Sequence, residues 1–94
     1  MDILEVVWDE EKNALNKRKH KISFEEAKKV FLDPGRFETI DKKHSLNEER
    51  LKTIGFSGVV LLSVVFTERD NSVRIITARK ADRKEEEEYF YGYS

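Results

Sequence analysis

The run Val59-Val60-Leu61-Leu62-Ser63-Val64-Val65-Phe66 is apolar at odd and even positions alike, with Ser63 as its one polar member. Successive side chains of a strand point to opposite faces, so such a run must be covered on both sides and belongs at the centre of a sheet. At eight residues it is far shorter than the roughly 20 a membrane helix requires. Gly55-Phe56-Ser57-Gly58 precedes it, which predicts a hairpin between strands Arg50–Phe56 and Gly58–Thr67. Asp70-Asn71 follows it, and both side chains tolerate left-handed backbone, so Val73–Arg79 returns as another strand.

The N-terminal half alternates differently. Ile3–Val7 is short and β-branched and reads as a first strand. Asp9 is a good N-cap for a helix over residues 10–20, in which only Ala14 and Leu15 are apolar, so that helix should be mostly exposed. Ser23-x-x-Glu26 forms a capping box for a second helix, with Phe24, Ala27, Val30 and Phe31 on its core face and Asp33-Pro34-Gly35 as its stop. Phe37–Ile40 reads as a short strand, Asp41–Glu49 as a polar loop, and Asp82-x-x-Glu85 opens a C-terminal helix. The expected fold is α+β: one domain over residues 1–94, β-α-α-β-β-β-β-α, with an antiparallel sheet and the helices packed on one side of it.

Charge narrows the function. The formal net charge is −1, yet residues 12–21 carry five Lys or Arg plus His20 and no acid, while residues 84–94 have a net charge of −3. A one-signed field over part of a surface attracts polyanions even when the overall balance is near zero. A second basic series, Arg69, Arg74, Arg79, Lys80 and Arg83, lies far along the chain. The chain has no cysteine, which excludes a disulfide framework, a thiol nucleophile and a thiolate metal site. His20 and His44 lack further ligands at zinc-binding spacing, and no glycine-rich phosphate loop is present, so neither a metal nor another cofactor is expected. His44-Ser45, with Glu48 and Arg50 nearby, does not make a catalytic triad and is expected to shape the loop. The N-terminus carries no secretory signal, so a cytoplasmic chain away from membranes is expected.

The segments WDEEKNALNKRKHKISFEEAKKVFLDP, DKKHSLNEER, IGFSG and VVFTERDNSVRIITARKADRKEEEEY, running from Val7 to Tyr89, resemble the BrnT family of toxins from bacterial type II toxin–antitoxin systems. Lys21 departs from the pattern, since many members have glycine after the His, and so does Val59–Val60, where many carry a basic residue or glycine. The resemblance implies a RelE-like fold and ribonuclease activity that halts translation. It also implies a BrnA-like ribbon-helix-helix antitoxin that neutralises the toxin and carries it to operator DNA, in a toxin2–antitoxin2 heterotetramer. The competing reading is a toxin-like interaction module that does no chemistry and serves as co-repressor with its antitoxin.

Metal-independent RNA cleavage needs a base for the 2′-hydroxyl, a stabiliser for the phosphorane charge and an acid for the 5′-oxygen. Arginine suits the second task because its planar fork stays charged and matches two phosphate oxygens. The resemblance places Lys19, Arg79 and Arg69 in the family's RKH, ARK and TER segments as phosphate stabilisers. His20, with an ordinary pKa close to neutrality, could carry a proton, and Glu68 could act as the base. Lys17, Arg18, Arg50, Arg74 and Lys80 are the expected RNA contacts. Strict alternation puts Arg79 on the face of Ile75 and Thr77, opposite Arg74, and leaves Arg69 at a distant turn. Arg79 and Lys80 could instead balance the acidic C-terminal helix, and Tyr89, Phe90, Tyr91 and Tyr93 are expected to pack or to bind a partner.

Overall fold

The computed structural model describes residues 5–44 and 47–92, so the readings of Ile3, Ser45 and Tyr93 fall outside the described residues. The elements are β1 (Glu5–Val7), α1 (Glu10–His20), α2 (Phe24–Lys28) continued by a 3-10 turn (Lys29–Leu32), β2 (Phe37–Ile40), a 3-10 turn (Lys42–His44), β3 (Leu51–Phe56), β4 (Leu61–Arg69), β5 (Ser72–Lys80) and α3 (Arg83–Tyr91). The strands form one sheet in the order β1-β5-β4-β3-β2. β2 to β5 are antiparallel neighbours, whereas β1 lies parallel to β5 with Val6 beside Val73. The α+β class is observed, and the sheet is mixed rather than wholly antiparallel. Three consecutive reversals from β2 bring the chain back beside the edge strand β1, with β5 running in the same direction as β1.

β4 is central, as its two-sided apolar pattern requires. Leu62, Val64 and Phe66 are buried on one face beneath Phe24, Ala27 and Val30, and the Phe31 ring meets Phe66 edge-on at 5.0 Å. Gly55, opposite Leu62 on β3, is a strand residue rather than a turn residue: an added Cβ would lie 2.6 Å from Val30 Cγ1. The other face of β4, with Leu61, Ser63, Val65 and Thr67, is also buried. α3 sits on that side, which corrects the expectation that all helices share one face. A strand apolar on both faces needs cover on both.

Two details of the turns differ from expectation. β4 begins at Leu61, not Gly58, because the Ser57 hydroxyl accepts the Val59 and Val60 amides (3.3 and 3.2 Å) and Gly58 takes φ +100°, leaving Val59 77% exposed. Ser23 caps α2 by accepting the Glu26 amide, but the Glu26 carboxylate turns to Lys29 (3.4 Å), so only half of that box forms.

α1 is mostly exposed, as expected, but the residues it does bury are polar. Its apolar residues, Ala14 and Leu15, face solvent, while Asn13 and Asn16 are buried. Asn13 Oδ1 accepts the Phe24 amide (2.8 Å), and Asn16 binds both the amide and the carbonyl of Ala78. The pairing of β1 ends with Val7 beside Arg74, so the outer edge of β5 beyond Arg74 is left open and Asn16 completes it.

α1 ends at Lys21, whose backbone is left-handed (φ 63°) and whose amide donates to the Lys17 carbonyl at 3.0 Å. A side chain is strained in that conformation and glycine is not. Lys21→Gly is therefore expected to stabilise the chain by roughly 0.5–1 kcal/mol, the relief of left-handed strain less the larger backbone entropy of glycine. Urea unfolding of both proteins checks this.

Candidate functional site

The site is built on the α3 face of the sheet, where three strands each present one polar side chain. Lys52 on β3, Ser63 on β4 and Arg79 on β5 share a face through the pairings Lys52↔Val65, Ile54↔Ser63 and Ser63↔Arg79. All three converge on the buried Glu85 carboxylate of α3. The Arg79 guanidinium donates from Nη1 to Oε1 at 2.8 Å and from Nη2 to Oε2 at 3.0 Å. Lys52 Nζ and Ser63 Oγ donate to Oε2 at 2.9 and 3.2 Å. The Asp82 amide donates to Oε1 at 2.9 Å, which closes the capping box predicted at the start of α3. A cleft of about 250 Å³ opens beside this group, with Phe37, Thr39 and Lys84 among its lining residues.

The carboxylate is held ionised. Burial pushes Glu85 up, but the Arg79, Asp82 and Lys52 hydrogen bonds and the Arg79 charge outweigh it and bring the pKa to about 2. The ordinary value is 4.5, so the folded state gains stability above that pH and loses it as pH falls toward 2. The shift converts to roughly 2–3 kcal/mol once the partial exposure of Arg79 and Lys52 is discounted. Wild type is therefore expected to lose most of that as pH falls from 5 to 2, and Glu85→Gln to show a flatter profile, measured by thermal unfolding across the range.

Strict alternation along β5 fails at one point. Val65 faces Thr77 but Phe66 faces Ile75, so Ile76 is an extra residue on β5. The bulge reverses the phase: Arg74, opposite Thr67, shares the face of Arg79, and Ile75 is buried with Ala78 on the other face. This corrects the placement of Arg74 and Arg79 on opposite faces.

The other expected site residues divide between the two ends of the sheet. Lys17, Arg18 and Lys19 are exposed on the last turn of α1 and His20 is half-buried there. Asn16, one turn earlier, is bonded to Ala78, so this basic turn reaches the Arg79–Lys80 end of β5. Lys17 and Lys21 line a groove with Val59 and Val60 at the same end. Lys80 pairs opposite Leu62 and so faces away from Arg79. Arg50 precedes β3, and its carbonyl accepts the Asp41 amide at 2.7 Å. Glu68 and Arg69 lie at the opposite end, paired with Val73 and Ser72. Arg69 is six positions along β4 from Ser63, about 20 Å at the rise of an extended strand. The structure does not bring Glu68 or Arg69 to Arg79.

Lys52, Ser63 and Glu85 were absent from the sequence-based candidates. Ser63 carried a usable signal as the one polar residue in the apolar run Val59–Phe66. Among the described residues, no group of three or more His, Asp or Glu side chains is arranged to hold a metal ion, and no helix is long and apolar enough to cross a membrane.

The crystal structure of the Brucella abortus ribonuclease toxin BrnT is similar, with a TM-score of 0.62 at 25% identity, covering 84% of this chain and 97% of that one. No curated protein matches the chain. Residues 8–85 match the family model for the ribonuclease toxin BrnT of type II toxin–antitoxin systems. That match spans α1 and reaches through Lys52, Ser63 and Arg79 to Glu85, and by it the chain belongs to the BrnT family of ribonuclease toxins.

Proposed function

We propose that this chain is a metal-independent, RelE-like endoribonuclease that arrests translation by cutting RNA, and that a BrnA-like ribbon-helix-helix antitoxin neutralises it in a toxin2–antitoxin2 complex in the cytoplasm. The observation that carries the reading is the convergence of the Arg79 fork, the Lys52 ammonium and the Ser63 hydroxyl on a single anion beside an open cleft. Cleavage requires the 2′-oxygen to bond to phosphorus, the bond from phosphorus to the 5′-oxygen to break, and a proton to pass from the first oxygen to the second through protein groups. Arg79 stabilises the phosphorane charge, with Lys19 as a second cation from the α1 end. His20, on the same turn as Lys19, is the proton carrier of this scheme. Arg74 extends the basic face along β5. Arg69 serves the same RNA at a distance of one strand length, and Glu68 beside it is too remote to act as base for a bond held at Arg79. Lys17, Arg18, Arg50 and Lys80 contribute field and backbone contacts.

Purified chain free of antitoxin should cut RNA in the presence of EDTA and arrest growth when expressed alone. Intact RNA in EDTA, together with unchanged toxicity of Lys19, His20 and Arg79 alanine variants, would leave the co-repressor reading in its place.

A further inference from the structure

We propose that Arg79, Lys52 and Ser63 form a phosphate-binding site that the chain's own Glu85 fills, so that α3 and a phosphate group compete for one seat. Five donors surround the two Glu85 oxygens: both prongs of a guanidinium fork, an ammonium, a hydroxyl and a backbone amide. Four of the five belong to the sheet and the loop-facing edge of the cleft; only the Asp82 amide leads into α3 itself. A phosphodiester also offers two anionic oxygens in one plane with phosphorus, and an arginine fork with a lysine is the side-chain set that recognises it. Two cations meet the Glu85 carboxylate here, and Asp82 and Asp41 add their negative charge around Arg79.

Glu85 is the buried residue of α3, while Phe90 and Tyr91 are 66% and 85% exposed. Beyond Glu85, α3 is also tied down by the half-buried Tyr89, whose hydroxyl donates to Asp33 Oδ2 at 2.5 Å. Withdrawing α3 exchanges one anion for another at Arg79 and Lys52, and costs the cover of the β4 face that carries Leu61 and Val65. The Arg79 and Lys52 side chains are 40% and 30% exposed toward the cleft, against 4% for Glu85, so an incoming anion reaches the cations from solvent.

This site rests on the ribonuclease reading only for the source of its phosphate. The test is titration of inorganic phosphate into full-length wild type, Glu85→Ala and Glu85→Ala/Arg79→Ala, by calorimetry and by melting in phosphate against chloride at equal ionic strength. Glu85→Ala should bind phosphate at least tenfold more tightly than wild type and melt higher in phosphate, and the double variant should lose both effects. Equal phosphate response in wild type and Glu85→Ala, or an undiminished response in the double variant, overturns the proposal. Should Glu85→Ala fail to fold in chloride, folding restored by phosphate supports it. Failure in both salts, with Glu85→Gln binding phosphate no better than wild type, overturns it. A 2′-O-methyl RNA dinucleotide, which cannot be cleaved, that displaces phosphate from Glu85→Ala identifies RNA as the source, and one that does not assigns the seat to free phosphate. Phosphate binding without RNA cleavage defeats the ribonuclease reading alone, and RNA cleavage without phosphate binding defeats this site alone.

Discussion

Arg79→Ala is expected to lower the rate of RNA cleavage by about 10²–10³-fold, the usual effect of removing one donor aimed at developing charge. The same change strands Glu85, which keeps only Lys52, Ser63 and the Asp82 amide as partners, and loss of one member of a buried pair destabilises. Two controls separate chemistry from folding. Arg79→Lys keeps the charge and loses the fork, so it should fold like wild type by circular dichroism and still cleave slowly. Glu85→Ala/Arg79→Ala removes the stranded carboxylate, so it should recover stability relative to Arg79→Ala without recovering cleavage. A double variant that regains cleavage would show that Arg79 acts through Glu85 and not on the phosphate.

Asn16→Ala should cost about 3–5 kcal/mol of folding stability, as much as truncating a core aromatic, because each buried group it strands costs roughly 1–3 kcal/mol. Asn16 Nδ2 donates to the carbonyls of Ile22 and Ala78, both at 2.8 Å, and Oδ1 accepts from the Ala78 amide and the Thr77 hydroxyl, both at 3.1 Å. All the hydrogen-bonding capacity of the amide is used, and it joins the turn after α1 to the open edge of β5. Against a typical total stability of about 5–15 kcal/mol, such a loss brings a small domain close to unfolding. Asn16→Asp should be worse at neutral pH, since a second carboxylate oxygen would face two carbonyls with no proton to offer. Its folded pKa must then be raised, so its stability should increase as pH falls, opposite in sign to the Glu85 profile. Chemical unfolding of the two variants at pH 7 and pH 5 measures both effects. An Asn16→Ala cost below 1 kcal/mol would mean that water replaces the amide and that α1 is not pinned to β5.

How much of this was legible before folding depends on the range over which each residue acts. The two-sided apolar run placed β4 at the centre, because the alternation of a strand is local geometry. Asp82-x-x-Glu85 announced the start of α3 for the same reason: cap and partner are three residues apart. The half-formed box at Ser23 shows where that logic ends, since Glu26 had Lys29 within reach as another partner. Arg79 was reached both through family resemblance and as a possible counter-charge to the acidic C-terminal helix. Its contact is indeed with that helix, through Glu85 and not through the run of acids as a whole.

Sequence patterns thus determined the central strand, the element types and the two basic stretches, all of which follow from periods and caps a few residues long. Tertiary structure decided that Ile76 bulges and carries Arg74 to the side of Arg79, that buried asparagines line α1, and that Lys52, Ser63 and Arg79 meet at one carboxylate. These depend on register across strands and on which buried donor finds which acceptor. The energy of such a contact belongs to pairs of residues up to 62 positions apart, as Asn16 and Ala78 are, and no local pattern encodes it.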